Sequence, residues 1–309
     1  MNGRISLTAL ALACALVGNA QAKEGADQYP NGADTWYSGA LPPPGGYFLN
    51  YFGYYDAELK DGNGDTVAGT SARAWFDALR YLHVSERRIL GGNWAWHVIV
   101  PLVHQRTDLG GGDKRVAGVG DITINPFALA WHSKNWHWVA GIDFNLPTGR
   151  YDSNDARRSI GANYWSMVPL VGVTYLSDTG WEASAKFMYN IKSENTDFRP
   201  APGAPKMDYQ SGDEFHMDYL VGKHVGPWGF GLSGYYLKQV TNDEIDGRTI
   251  PARPGLWSAG RKGDVFAIGP SVTYRTKDGV HFTGEWHREV EAENRFGGDK
   301  VWLKLVLSL

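Results

Sequence analysis

The chain has 309 residues, a formal net charge of -3 and 20% charged residues, a balance that excludes the basic surface of a nucleic-acid binder. Glycine (39), tyrosine (16) and tryptophan (13) are abundant, yet beyond residue 22 no apolar run is long enough for a membrane-spanning helix. That combination fits a β-protein that places apolar residues at every second position.

Residues 1–22 read as a secretory signal. Arg4 is the positive n-region, Ile5 to Val17 the apolar stretch and Ala20-Gln21-Ala22 the cleavage site, so the mature chain is expected to start at Lys23. The single cysteine, Cys14, falls inside this signal, and Ala11 stands where a lipoprotein signal carries a large aliphatic residue. The mature chain is therefore expected to offer no disulfide, thiolate metal site or cysteine nucleophile. Residues 23–45 are polar and run into Leu41-Pro42-Pro43-Pro44-Gly45-Gly46. They predict an extended periplasmic lead-in that folds at or into the periplasmic mouth of a pore and narrows it.

From residue 46 to 309 the pattern predicts about twelve strands, at 46–59, 72–87, 94–106, 118–132, 136–147, 161–177, 181–193, 210–225, 229–243, 263–276, 280–292 and 299–309. Short links alternate with long polar ones at 60–71, 107–117, 148–160, 194–209 and 244–262. This is the asymmetry of an all-β, transmembrane, antiparallel up-and-down β-barrel, with short periplasmic turns and long extracellular loops. Trp94, Trp96, Trp131, Trp136, Trp138, Trp181, Trp228 and Phe282 flank the short turns, where an indole settles at the headgroup level. The final stretch has apolar residues at 301, 303, 305, 307 and 309, with Lys304 and Ser308 on the other face. It reads as a wall strand with one side in lipid, closing the barrel against the first.

Alternation also assigns the interior. In the fifth strand Trp136, Trp138, Ala140, Ile142, Phe144 and Leu146 face lipid, and His137, Asp143 and Asn145 face inward. In the seventh, Glu182, Ser184, Lys186, Asn190 and Lys192 face inward. The second strand is irregular, because Asp77 and Arg80 have opposite parity and call for a bulge or an interface position. The residues expected to line the pore are Asp121, Asn125, Asp143, Glu182, Lys186, Glu214, His216, Asp218, Glu285 and Lys304. Carboxylates outnumber cations among the inward positions, which predicts a modest preference for cations. Glu285 and Lys304 lie at similar distances from the turn near 293–298, so a cross-strand pair is expected.

Other chemistry is poorly supported by the pattern. Asp61-Gly62-Asn63-Gly64-Asp65 starts like a calcium loop, but Thr66 replaces the required glycine and Ala72 the bidentate glutamate. The nine histidines are scattered. His216 and His287 lie among inward carboxylates, where a polar lumen explains them better than a metal site. A lipid-modifying hydrolase on a small barrel is the main alternative, and Ser133 beside His132 lacks an evident third partner. A closed structural barrel is the other.

Several stretches together resemble one family. They are Pro43-Pro44-Gly45, Ile99-Val100-Pro101-Leu102, Gly118-Val119-Gly120-Asp121, Pro147-Thr148-Gly149-Arg150-Tyr151-Asp152, Gly161-Ala162-Asn163-Tyr164-Trp165, Pro169 and Thr174-Tyr175. Their order and spacing are similar to the phenol meta-pathway degradation family of Proteobacterial outer-membrane proteins. The resemblance implies a monomeric channel in the outer membrane of a Gram-negative bacterium, in contact with outer-membrane lipid and lipopolysaccharide. It implies passive uptake of small, often hydrophobic or aromatic molecules, without a cofactor or catalytic activity.

Overall fold

The computed structural model describes residues 28–251 and 261–309. The expected signal, 1–22, lies outside the described residues. The wall consists of β1 (Gly45–Leu59), β2 (Thr70–Ile89), β3 (Gly92–Leu109), β4 in two pieces (Lys114–Val119 and Ile122–His132), β5 (Trp136–Leu146), β6 (Ser166–Leu176), β7 (Trp181–Lys192), β8 (Glu214–Val225), β9 (Trp228–Gln239), β10 (Asp264–Arg275), β11 (His281–Glu293) and β12 (Phe296–Ser308). Each strand pairs antiparallel with its sequence neighbour. β12 then pairs with β1, from Tyr47 opposite Ser308 to Leu59 opposite Phe296. Closure leaves no unpaired edge, the condition for a sheet to cross a bilayer.

Period-two alternation accounts for both surfaces. Outward residues such as Phe52, Leu102, Phe127, Trp138, Val171, Phe187, Val221, Leu232, Val290 and Leu303 are exposed around the wall. Such a continuous apolar belt is stable only against lipid. Trp136, Trp181, Trp228 and Phe282 are exposed beside the short turns, as their sequence positions predict. No helix among the described residues is long and apolar enough to cross a membrane.

Four local departures from the expected strands have physical causes. The fourth strand is not continuous: Pro101 has no N–H to offer its neighbour. Gly120 donates to the Pro101 carbonyl at 2.8 Å, while Asp121 turns inward and is buried. Beyond this break β3 and β4 pair again from Leu102–Val119 to Thr107–Lys114, so most of the expected 107–117 loop is ladder. β6 starts at Ser166 rather than 161, because Gly149 and Gly161 cross at a distance that admits no side chain; a Cβ on Gly149 would lie 2.7 Å from the Gly161 Cα. The outer loops carry a four-stranded sheet of their own, Asn195–Phe198, Met207–Gln210, Glu244–Ile245 and Arg248–Thr249. Phe198 and Tyr209 are its buried core.

The second strand needs no bulge at its parity conflict. Its register against β1 is continuous from Ala72 to Val84. Arg80 is buried inside the barrel. Asp77 takes the opposite face and accepts from Asn50 Nδ2 at 2.5 Å.

Candidate functional site

The interior is divided lengthwise. On the side of β12 and β1–β5 the interior carries the main apolar cluster: Leu49, Tyr51, Ala78, Leu82, Val84, Ala95, Ala128, Val139 and Trp302 are buried together, with Phe76, Ile99 and Val306 packed on them. Trp302, between the outward residues of the last strand, is fully buried, with its ring 4.9 Å from Phe76. On the side of β6–β11 inward polar residues such as Glu182, Lys186, Asp218 and Glu285 stand among apolar ones, Val168, Leu170, Met188 and Leu237, and the polar ones hold the N-terminal segment inside the lumen.

Asp218 accepts from Tyr29 Oη (2.6 Å), Gly32 N (2.8 Å) and Asp34 N (3.1 Å). Thr35 Oγ1 donates to Glu285 at 2.5 Å and Trp36 Nε1 to Ser271 Oγ at 2.6 Å. Tyr37 N donates to Glu182 at 2.6 Å, and Gly39 N to Thr174 Oγ1 at 2.9 Å. Asn31 Oδ1 lies 2.7 Å from His216 Nδ1. The Trp36 ring fits because Gly222 and Gly229 face it; a Cβ there would come within 2.5 and 2.9 Å of the indole. Inward glycine is thus part of the socket.

All ten residues expected to line the pore are buried inside the barrel, between 0 and 8% exposed. Their partners differ. Glu182, Lys186, His216, Asp218, Glu285 and Lys304 all bond to the N-terminal segment. Asp121 accepts from Gln28 Nε2, Gly149 N and Ala162 N, each at 2.9 Å. Three of the stretches that carry the family resemblance therefore converge on one carboxylate, which ties the outer loops to the wall and to the segment. Asn125 donates to Asp143 at 2.6 Å, and Glu214 pairs with Lys192 at 2.7 Å. Glu285 and Lys304 form the expected ion pair. It is diagonal, because Lys304 stands opposite Thr283 and Glu285 opposite Trp302.

Between the segment and the walls lie two cavities, ≈ 220 Å³ toward the outer loops and ≈ 490 Å³ toward the short turns. Asp34, Tyr51, Arg80, His97 and Lys186 line both and separate them. Asp34 receives Lys186 Nζ at 2.8 Å and Tyr51 Oη at 3.0 Å, and Arg80 Nη1 stands at 3.4 Å. Arg80 is braced by Tyr51 Oη at 3.2 Å and His97 Nδ1 at 3.0 Å. His97 Nε2 lies 3.3 Å from Asp143. This waist joins β2, the segment and β7 across the lumen. Burial alone would raise the Asp34 carboxyl, but the Lys186 and Arg80 charges outweigh it and hold it well below the ordinary carboxylate range.

Sequence reasoning did not single out Asp34, Tyr51 or His97, and met Arg80 only as a parity conflict. The available signal was that Arg80 shares its face with Ala72, Ala74, Phe76 and Ala78, one cation in an apolar row. Elsewhere, Ser133 Oγ donates to the Trp136 carbonyl at 3.0 Å and His132 faces His137 at 2.9 Å. Asp61 accepts from Asn63 N and Asp65 N within its own loop. Among the described residues no group of three or more His, Asp or Glu is placed to hold a metal ion.

No curated protein matches the sequence. Among solved structures, an outer membrane channel from Pseudomonas putida F1 is 17% identical, with a TM-score of 0.73 over 87% of this chain and 97% of that one. This likeness shows the fold. The β domain of the Bordetella autotransporter BrkA (10% identity, TM-score 0.48, 86% and 100% covered) and the Pseudomonas putida toluene transporter TodX (8%, 0.41, 93% and 95%) are more distant. The profile of the family described as "MetA-pathway of phenol degradation" matches residues 57–305. The chain belongs to that family.

Proposed function

We propose that the protein is an outer-membrane channel for passive uptake of small hydrophobic or aromatic compounds in a Gram-negative bacterium. One observation carries the reading: in a closed barrel with a lipid-facing belt, two cavities flank a single polar waist, and both have an apolar wall on the β1–β5 side. Apolar solutes partition onto such a wall, and the polar waist stands between the two cavities. The family's association with phenol degradation agrees with this substrate class.

The same site shapes the rest of the reading. Residues 1–22 are a signal peptide removed on export, and 23–45 form a periplasmic lead-in whose later part lies in the lumen. The barrel acts as a monomer, its belt against outer-membrane lipid and lipopolysaccharide. Transport needs no cofactor and involves no covalent step. Asp121 serves chiefly as an anchor, and the other nine inward residues line the route or fix the segment that bounds it. Lys304 pairs with Glu285, Lys192 with Glu214 and Lys186 with Asp34, which offsets part of the inward negative charge and leaves a modest preference for cations. Growth of a deletion strain on a panel of aromatic carbon sources tests the reading, with liposome swelling for sugars and amino acids as the control. Unchanged growth on every aromatic source, with rapid sugar entry in the swelling assay, would replace it with a general porin.

A further inference from the structure

We propose, building on the channel reading, that the waist is a carboxylate-recognition site whose resident occupant is Asp34, and that its ligands are small apolar acids such as aromatic carboxylates. Asp34 belongs to the segment, whereas its cations belong to facing walls: Lys186 Nζ at 2.8 Å from β7 and Arg80 Nη1 at 3.4 Å from β2. Tyr51 Oη adds a third donor at 3.0 Å. Both cations are buried. Arg80 is preorganised by Tyr51 and His97, and its Nε is left without an acceptor. Lys186 stands 4.7 Å over the Tyr29 ring.

Apolar surface adjoins this cluster on both sides, Phe76, Ile99 and Val103 outward and Leu49, Leu82 and Val306 inward. A molecule seated here therefore has its body against hydrocarbon and one end against two cations and a phenol. That is the recognition chemistry of a carboxylate on an apolar frame. Charge also favours exchange. The fixed carboxylates nearby, Asp143 and Asp218, already hold other donors: His97 and Asn125 for the first, Tyr29, Gly32 and Asp34 N for the second. An acid that replaces the Asp34 carboxylate keeps Arg80 and Lys186 paired, and the displaced carboxylate, still charged, moves toward Lys304 and Arg275, which also line the larger cavity. A neutral molecule that parts them leaves buried charges uncompensated, which is strongly unfavourable. The displaced Asp34 side chain can turn into the larger cavity, which it also lines.

The test is calorimetric binding of benzoate and its neutral analogue benzamide to the purified full-length channel in detergent, with single-channel conductance recorded on the same preparations. Asp34→Asn removes the competing charge while keeping the shape. It should tighten benzoate about tenfold or more, equivalent to about 1.4 kcal/mol, and leave benzamide unchanged. Adding Lys186→Met should abolish the gain. Chloride at equal concentration should not compete. Equal affinities for benzoate and benzamide in both proteins, or displacement of benzoate by chloride, would overturn the proposal. If Asp34→Asn fails to fold, by loss of heat-modifiable migration, the wild-type contrast decides, with tighter binding of benzoate than of benzamide expected. Absence of any conductance would count against the channel reading instead.

Discussion

The β6–β11 half of the lumen and the β12–β5 half are built from the same alternating strands and the same wall geometry, yet they do opposite things. The first presents Thr174, Glu182, Lys186, His216, Asp218 and Glu285, and each bonds to the N-terminal segment. The second presents Leu49, Phe76, Ala78, Leu82 and Val139, which the segment leaves largely to the cavities. Polar side chains fix this turn-rich segment by accepting from N–H groups that its own turns leave free, those of Gly32, Asp34, Tyr37 and Gly39. Apolar side chains supply no acceptor, so the segment lies to one side and the free volume to the other. Arg80 reaches from β2 to Asp34, with His97 and Asp143 behind it, and the waist forms where it does.

Removing the segment should break this contrast most completely. Deleting residues 23–41 is expected to raise single-channel conductance several-fold in planar bilayers; unchanged conductance would mean that the segment does not bound the route. Asp218→Ala removes three acceptor contacts, on the order of 3 kcal/mol of docking energy. The expected result is flickering conductance and protease cleavage within residues 28–41 in folded protein, with full protection as the opposing outcome. Gly222→Val should have a similar but smaller effect, because its Cβ would intrude on the Trp36 ring. The readout is a rise in Trp36 fluorescence quenching by a water-soluble quencher, measured against a Trp36→Phe control.

The acid range gives the smallest change. The Asp34 carboxyl is depressed in the folded state, so its contribution is complete above the unfolded value of about 4. It is lost only as pH falls through the folded value, which lies lower. Conductance is therefore expected to hold from pH 7 to about 4.5, a window above the ordinary carboxylate value. A steep rise inside that window would place the clamp on another group.

Most of the wall was legible because alternation over ten residues is a strong signal, and Trp136–Leu146 and Trp181–Lys192 lie as read. The inward parity of Asp143, Lys186, Asp218 and Lys304 was legible for the same reason. What they touch was not. A lone strand pattern cannot tell water from a folded-in segment as the partner of an inward charge, and residues 28–41 have no periodicity of their own. The apolar half escaped notice because Ala72, Ala74, Phe76 and Ala78 are mostly small, and Trp302 was hidden among outward aliphatic neighbours. The break at Gly120-Asp121 depends on Pro101 in the adjacent strand, a contact between strands that no single-strand pattern contains.

The division of the lumen is tested most directly by substituted-cysteine modification, since the one native cysteine, Cys14, lies in the expected signal. A cysteine at Ala78, on the apolar wall beside the outer cavity, is compared with one at Ser184, bonded to Thr174 and Glu182 on the polar side. Each is treated with a bulky thiol reagent, and benzoate flux is then measured in proteoliposomes. A divided lumen predicts rapid modification and strong inhibition at position 78, with slow modification and little inhibition at 184. Equal blockade at both positions, or blockade at 184 alone, would contradict it.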